Sequence, residues 1–205
     1  MSTPPPVLLE HALRYALIAL RDVAPDLLGR PTPCRDWDLG MLLVHANDSL
    51  AALAEGFGAG CVAPAADRAE EPCDAATRTD PVGMFRQRAA GLLALCRAGR
   101  RESVAIGDRD LPCDLMAAAG ALEVAVHGWD ISRACGRHLP IPPALSVELL
   151  ALGALLVPNA DRHPLFAART DAGPAACPSD RLVAYLGRDP CAAVGAMPPA
   201  GRGRA

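Results

Sequence analysis

Apolar residues recur along most of the chain at the spacing of helix faces, and segments rich in Gly, Pro and Asp separate them. Leucines and alanines three and four positions apart indicate amphipathic helices. The predicted helices run over residues 8–28, from Asp38 to about Phe57, from Asp80 to Cys96, from Asp114 to Gly136, over 143–157 and, as a short final helix, over 180–188. We expect Asp38 and Asp114 to cap their helices, and residues 58–80 and 99–113 to be connections.

The low aromatic content favours helices as the building blocks of the core. Aromatic residues make up 3% of the 205 residues, so the core rests on Leu, Val and Ala, which let helices approach closely. We therefore expect an all-α protein in which helix packs on helix. Residues 1–158 are expected to form a helical bundle, residues 159–190 a C-terminal extension packed on the bundle, and residues 191–205 a disordered, irregular tail.

Charge and cysteine usage exclude several classes of protein. The net charge of −3 gives no basic excess for binding nucleic acid. No apolar run reaches the roughly 18 residues of a membrane span, and the N-terminal segment lacks the pattern of a signal peptide. The eight cysteines form no CxxC pair. We expect reduced thiols in a cytoplasmic protein that binds neither nucleic acid nor a membrane.

The fourth predicted helix carries an isolated acid and base. Between Leu115 and Trp129 the only ionisable side chains are those of Glu123 and His127. A spacing of four places both side chains on one helix face, one turn apart. Buried without partners, such groups would be strongly destabilising, so they must pair with each other or with a metal ion.

A third donor lies on the second predicted helix. His45 follows the apolar run MLLV, although a core histidine bonded to a backbone carbonyl is the simpler interpretation of this residue alone. Two imidazoles and one carboxylate match the ligands of a catalytic zinc site, which keeps a fourth position open. The sequence thus predicts a metal site of His45, Glu123 and His127. Zinc is the default, and non-haem iron and other divalent ions stay open.

Other side chains near these donors are candidates for the rest of the site. Asp130 follows His127 by three residues and Asp48 follows His45 by three, so each aspartate is a candidate to accept the second imidazole N–H. The alternatives are solvent exposure for Asp48 and a cap or an ion pair with Arg133 for Asp130. The residues expected to line a substrate pocket are Trp37, Trp129 and Arg133, and the candidates for catalysis are Arg133 and Asp130.

Three segments bracket most of the chain: RPTPCRDWDLGMLLVHA at 30–46, EVAVHGWDISRACG at 123–136 and DRLVAYLGRDP at 180–190. Together they resemble the metal-binding domain of the mycothiol-dependent maleylpyruvate isomerase family, a branch of the DinB-like helical bundles. The resemblance implies a four-helix bundle with an extra C-terminal helix, and zinc held by His45, Glu123 and His127. It also implies that Cys34 is structural or lines the pocket rather than binding the metal.

The resemblance further implies a thiol as the cofactor. A low-molecular-weight thiol, by analogy mycothiol, would enter the open metal position, where the metal would depress the pKa of the thiol. We therefore expect a transferase or isomerase whose partners are a small thiol and a small electrophilic substrate. Two other functions fit the same ligands, namely a metal-dependent hydrolase with activated water and a zinc-binding bundle without turnover. A homodimer also stays open.

Overall fold

The structure is a computed structural model that describes residues 3–34, 36–62, 77, 79–98, 101–157 and 167–192. The helices are α1 (Pro5–Ala19), α2 (Leu39–Ala59), α3 (Pro81–Arg97), α4 (Cys113–Ala134), α5 (Pro143–Leu156) and α6 (Pro178–Tyr185). The strands are β1 (Cys61–Val62), β2 (Ser103–Ile106) and β3 (Arg109–Pro112). Within these ranges, no helix combines the length and the apolar character that a membrane span requires.

The first four helices form a bundle around α4, which confirms the all-α, DinB-like class expected from the sequence. Helix α1 packs along α4, and α2 packs against both α3 and α4. Eighteen of the 22 residues of α4 are buried. Small residues let α1 and α4 approach closely, since a Cβ on Gly128 of α4 would lie 3.1 Å from the Cα of Ala16 on α1.

The two helices that carry the predicted metal donors begin in different ways. Helix α2 is capped by Asp38, whose carboxylate accepts a hydrogen bond of 2.8 Å from the backbone N–H of Met41, as predicted. The predicted cap at Asp114 is wrong. Helix α4 follows Pro112 without a side-chain cap, because β3 leads directly into the helix and leaves Asp114 inside the first turn.

Two further stretches differ from the prediction. Residues 103–112 form a hairpin of β2 and β3 rather than a plain connection, with Gly107 at φ 60° in the turn, and β1 pairs in parallel with β2. The first helix ends at Ala19, earlier than predicted, and the chain continues in two 3₁₀ turns, Leu20–Asp22 and Pro25–Leu27. Pro25 prevents a helix from running on to residue 28, because the residue before a proline favours extended backbone, and Ala24 has φ −110° and ψ 156°.

The C-terminal elements pack together beside the bundle. Helix α6 is the predicted extra helix, and it packs against α5, which in turn contacts α4. Helix α5 is buried on one face only, since Leu155 is 80% exposed and Val147 is 59% exposed. Residues 158–166 and 193–205 lie outside the described residues, so the predicted domain boundaries and the tail stay predictions.

Candidate metal centre

His45 on α2 and the pair Glu123 and His127 on α4 bring three donor atoms to one point. His45 Nε2 lies 2.7 Å from Glu123 Oε1, and His127 Nε2 lies 3.1 Å from the same oxygen. All three donor atoms lie within 4.8 Å of one another. Glu123 and His127 share a face of α4 because they are one turn apart, and the packing of α2 on α4 adds His45. The structure thus brings the predicted trio together.

The spacing of these atoms suits a divalent ion. Bonds of about 2.0–2.2 Å to a tetrahedral zinc ion place neighbouring ligand atoms roughly 3.4 Å apart. The two measured separations, 2.7 and 3.1 Å, are shorter than this ligand spacing by roughly 0.7 and 0.3 Å, so the donor atoms need to move apart by less than about 1 Å to hold such an ion. The side chains of His45 and Glu123 are 39% and 34% exposed, whereas that of His127 is 9% exposed. One side of the cluster is therefore open to solvent.

Two carboxylates flank the imidazole of His127. Burial by itself would raise the pKa of Glu123, but hydrogen bonds from His127 and His45 hold that pKa below its ordinary value. Burial would likewise lower the pKa of His127, but hydrogen bonds with Asp130, Cys34 and Glu123 raise it well above the ordinary value. The two carboxylates therefore favour the protonated imidazole of His127 in the metal-free chain. A metal ion would take the place of the proton on Nε2.

On the other side of His127, four side chains form what we call the Asp130 cluster: Cys34, His127, Asp130 and Arg188. Asp130 Oδ2 lies 3.0 Å from His127 Nδ1, 2.9 Å from an Arg188 guanidinium nitrogen and 3.3 Å from Cys34 Sγ. Burial opposes the charge on Asp130, but Arg188 and His127 outweigh it and lower the pKa to about 2. Asp130 thus accepts the second N–H of His127, as predicted, and its ion pair is with Arg188 rather than Arg133.

Cys34 is a neutral thiol inside this cluster. Burial first, and then the charge of Asp130, raises its pKa. Cys34 Sγ lies 3.8 Å from His127 Nδ1, the same nitrogen that bonds Asp130. A nucleophilic Cys-His-Asp arrangement needs the thiol and the acid on opposite ring nitrogens, so this geometry does not activate Cys34.

The atoms of Cys34, His127 and Asp130 also lie within 4.8 Å of one another, which makes them a second group of conceivable metal ligands. The guanidinium of Arg188 lies 3.2 Å from Cys34 Sγ and 2.9 Å from Asp130 Oδ2. A fixed cation at this distance repels a second one, so the Arg188 charge favours the trio of His45, Glu123 and His127 as the metal site.

A groove opens beside His45. It has a volume of about 490 Å³, and Trp37, Met41, Val44 and Asp48 are among its lining residues. The Trp37 ring centroid lies 4.7 Å from that of His45, so this tryptophan lies beside one of the predicted donors. Asp48 is exposed and lines the groove, which fits the exposed alternative considered for it.

The structure does not bring the other two pocket candidates to the donors. Trp129 is 1% exposed and belongs to the core. The Arg133 guanidinium lies 5.4 Å from the centroid of the Trp129 ring and donates to the carbonyl of Ala192. The arginine at the site is Arg188, which the sequence analysis missed. Its only sequence signal was the motif LGRDP in the segment 180–190.

A helical bundle in which two helices aim two histidines and a glutamate at one point defines a class of candidate metalloproteins. Comparison with known families shows which family of helical proteins the chain belongs to. The family model described as mycothiol maleylpyruvate isomerase N-terminal domain matches residues 9–132, which is more than half of the chain. The chain therefore belongs to this family, as the resemblance implied. The three predicted donors lie inside the matched residues, and Arg188 lies beyond them.

The two relatives described next carry no named activity. Two proteins of Mycobacterium tuberculosis, Uncharacterized protein MT0763 and Uncharacterized protein Rv0738, are each 26% identical to the chain over 184 residues. These alignments cover 82% of this chain and 89% of each relative. No solved structure matches the chain significantly.

Proposed function

We propose that the chain binds a divalent metal ion, zinc by default, through His45, Glu123 and His127 and uses it in a transferase or isomerase reaction that depends on a small thiol of the mycothiol type. The observation that carries the proposal is the convergence of three donor atoms within 4.8 Å on a side of the bundle that solvent reaches. The family assignment supports the choice of thiol, since its description names mycothiol.

The donors and their neighbours have distinct tasks in this proposal. A zinc ion held there would supply a positive charge that lowers the pKa of an incoming thiol. Asp130 accepts a hydrogen bond from the Nδ1–H of His127, which leaves Nε2 as the nitrogen that faces Glu123. One carboxylate and two neutral imidazoles offset only half of a divalent charge, so the site keeps a net attraction for a thiolate.

The groove beside His45 is the proposed place for the organic parts of the thiol and the electrophile. Trp37 and Met41 supply an apolar wall next to His45, and ligand pockets are lined mainly by such apolar side chains, with a few polar groups that fix the orientation of the ligand. The proposed partners are thus a small thiol and a small electrophilic substrate. A cytoplasmic location belongs to the same proposal, because low-molecular-weight thiols stay reduced there.

Calorimetric titration of the zinc-loaded and metal-free protein with mycothiol tests the proposal. We expect binding to the zinc form alone, with release of protons and with an affinity that rises towards the free thiol pKa of about 8.5. The matched control is the S-methylated thiol, which has no proton to release and should bind weakly to both forms. Equal binding of mycothiol to both forms at every pH from about 6 to 9 would exclude the thiol role and favour the hydrolase or the bundle without turnover.

A further inference from the structure

We infer that Arg188 is a positioning residue of the metal centre, which holds the carboxylate of Asp130 against His127 and thereby ties the C-terminal segment 167–192 to the site. The effect on metal binding rests on the proposed function, whereas the effect on the geometry of His127 does not. Arg188 lies outside the residues 9–132 that the family model matches.

Arg188 contacts both oxygens of the Asp130 carboxylate. One terminal nitrogen lies 2.9 Å from Oδ2, and Nε lies 3.4 Å from Oδ1. The side chain of Asp130 is fully buried, and that of Arg188 is 11% exposed. A guanidinium that contacts both carboxylate oxygens fixes the plane of the carboxylate as well as its charge.

The backbone of the segment places Arg188 with little freedom. The guanidinium also donates to the carbonyl of Leu186 at 3.1 Å, and the backbone N–H of Arg188 donates to the carbonyl of Val183 at 2.9 Å. Gly187, just before it, has φ +85°, and a Cβ there would lie 2.8 Å from the backbone oxygen of Ala167. The turn after α6 therefore aims the arginine at α4.

A chain of contacts leads from this arginine to the metal donors. Arg188 bonds Asp130 Oδ2, the same oxygen bonds His127 Nδ1, and His127 Nε2 faces Glu123 Oε1. Without the guanidinium, Asp130 would be a buried carboxylate left with the imidazole of His127 and the thiol of Cys34 as partners and with no cation at 2.9 Å to offset its charge. It could then rotate, and His127 would lose the acceptor that sets its ring orientation.

The first test uses the metal-free protein and compares Arg188→Gln with Arg169→Gln. Arg169 lies in the same segment, and its guanidinium stands 3.8 Å over the Tyr185 ring rather than against Asp130. Nitrogen NMR of the His127 imidazole should show a hydrogen-bonded Nδ1–H in the wild type and in Arg169→Gln, and a shifted or lost Nδ1–H signal in Arg188→Gln. His127 resonances that are the same in all three proteins would overturn the inference.

The second test measures zinc affinity by competition with a chelator. Arg188→Gln should weaken zinc binding by roughly 10-fold, in the range seen when a hydrogen-bond partner of a metal ligand is lost. Arg169→Gln should leave the affinity unchanged. In an Asp130→Asn background, Arg188→Gln should cause no further loss, because the arginine acts through that carboxylate. Additive losses would indicate general destabilisation and overturn the inference.

Arg188→Lys covers the case in which the glutamine variant does not fold. Lysine keeps the charge but not the contact with both oxygens, so we expect an intermediate shift of the His127 signals and an intermediate affinity. Wild-type values for both in the lysine variant would refute the role of the two-oxygen contact. Absence of zinc binding by the wild type would refute the proposed function instead, and the NMR comparison would still decide the position of His127.

Discussion

Replacing Asp130 with Asn should remove an acid-sensitive part of the stability of the metal-free chain. The carboxylate is fully buried, and burial opposes its charge, but Arg188 and His127 lower its pKa from the ordinary 3.8 to about 2. As the pH falls, the unfolded chain therefore takes up this proton before the folded chain does. Stability must decrease over that interval.

The size of the effect follows from the two pKa values. Each pKa unit corresponds to about 1.36 kcal/mol, so the difference gives roughly 2 kcal/mol of unfolding free energy. Because the folded-state pKa of Asp130 is the lower one, this contribution is complete above its ordinary value of 3.8 and is lost as the pH falls towards 2. His127 has a raised pKa, so its contribution is present below the ordinary value of 6.5 and is lost at higher pH.

Urea unfolding between about pH 2 and pH 7 measures this contribution. Between about pH 5 and pH 2 the wild type should lose roughly 2 kcal/mol more than Asp130→Asn does. Asp26→Asn is the matched control, since Asp26 is exposed in the turn Pro25–Leu27, and it should follow the wild-type curve. Parallel curves for the wild type and Asp130→Asn would refute the reasoning.

Three further predictions concern the donors, the turn before Arg188 and Cys34. Metal analysis of purified His45→Ala should show loss of most of the bound zinc, because one of three ligands is gone. His138→Ala, which changes an exposed histidine, should keep its zinc. Equal zinc contents in the two variants would contradict the ligand assignment. Gly173→Ala should lower the free energy of unfolding by roughly 1–2 kcal/mol, the cost of a left-handed backbone at alanine, and Gly187→Ala should lower it by more. Both glycines have positive φ, but a Cβ at Gly187 would also lie 2.8 Å from the backbone oxygen of Ala167. Equal losses in urea unfolding would count against this packing. Cys34 should react with iodoacetamide more slowly than the exposed cysteines, because partial burial raises the pKa of its thiol. Equal rates in mass spectrometry would contradict the raised pKa.

Local signals explain why the helices and the donor trio could be predicted from the sequence. The cap at Asp38 needs only residues within one turn, and so does the shared face of Glu123 and His127. His45 was predictable because an imidazole on an apolar helix needs a partner, and the packing of α2 on α4 supplies that partner.

Long-range pairing explains what the sequence did not reveal. Arg188 is 58 residues from Asp130 along the chain, and no periodicity connects a residue after α6 with one in α4. Arg133, three residues after Asp130, was the nearer candidate, but α4 turns it towards Trp129 and Ala192. The hairpin at 103–112 was missed for a related reason: four-residue strands carry too little alternation to be told from a loop.

The most direct test of the metal centre is an anomalous difference map from crystals of the zinc-loaded protein, measured above and below the zinc absorption edge. We expect one peak bounded by Nε2 of His45, Oε1 of Glu123 and Nε2 of His127, at about 2.0–2.2 Å from each atom. A map without a peak between these atoms, or with its peak between Cys34 and Asp130, would contradict this expectation.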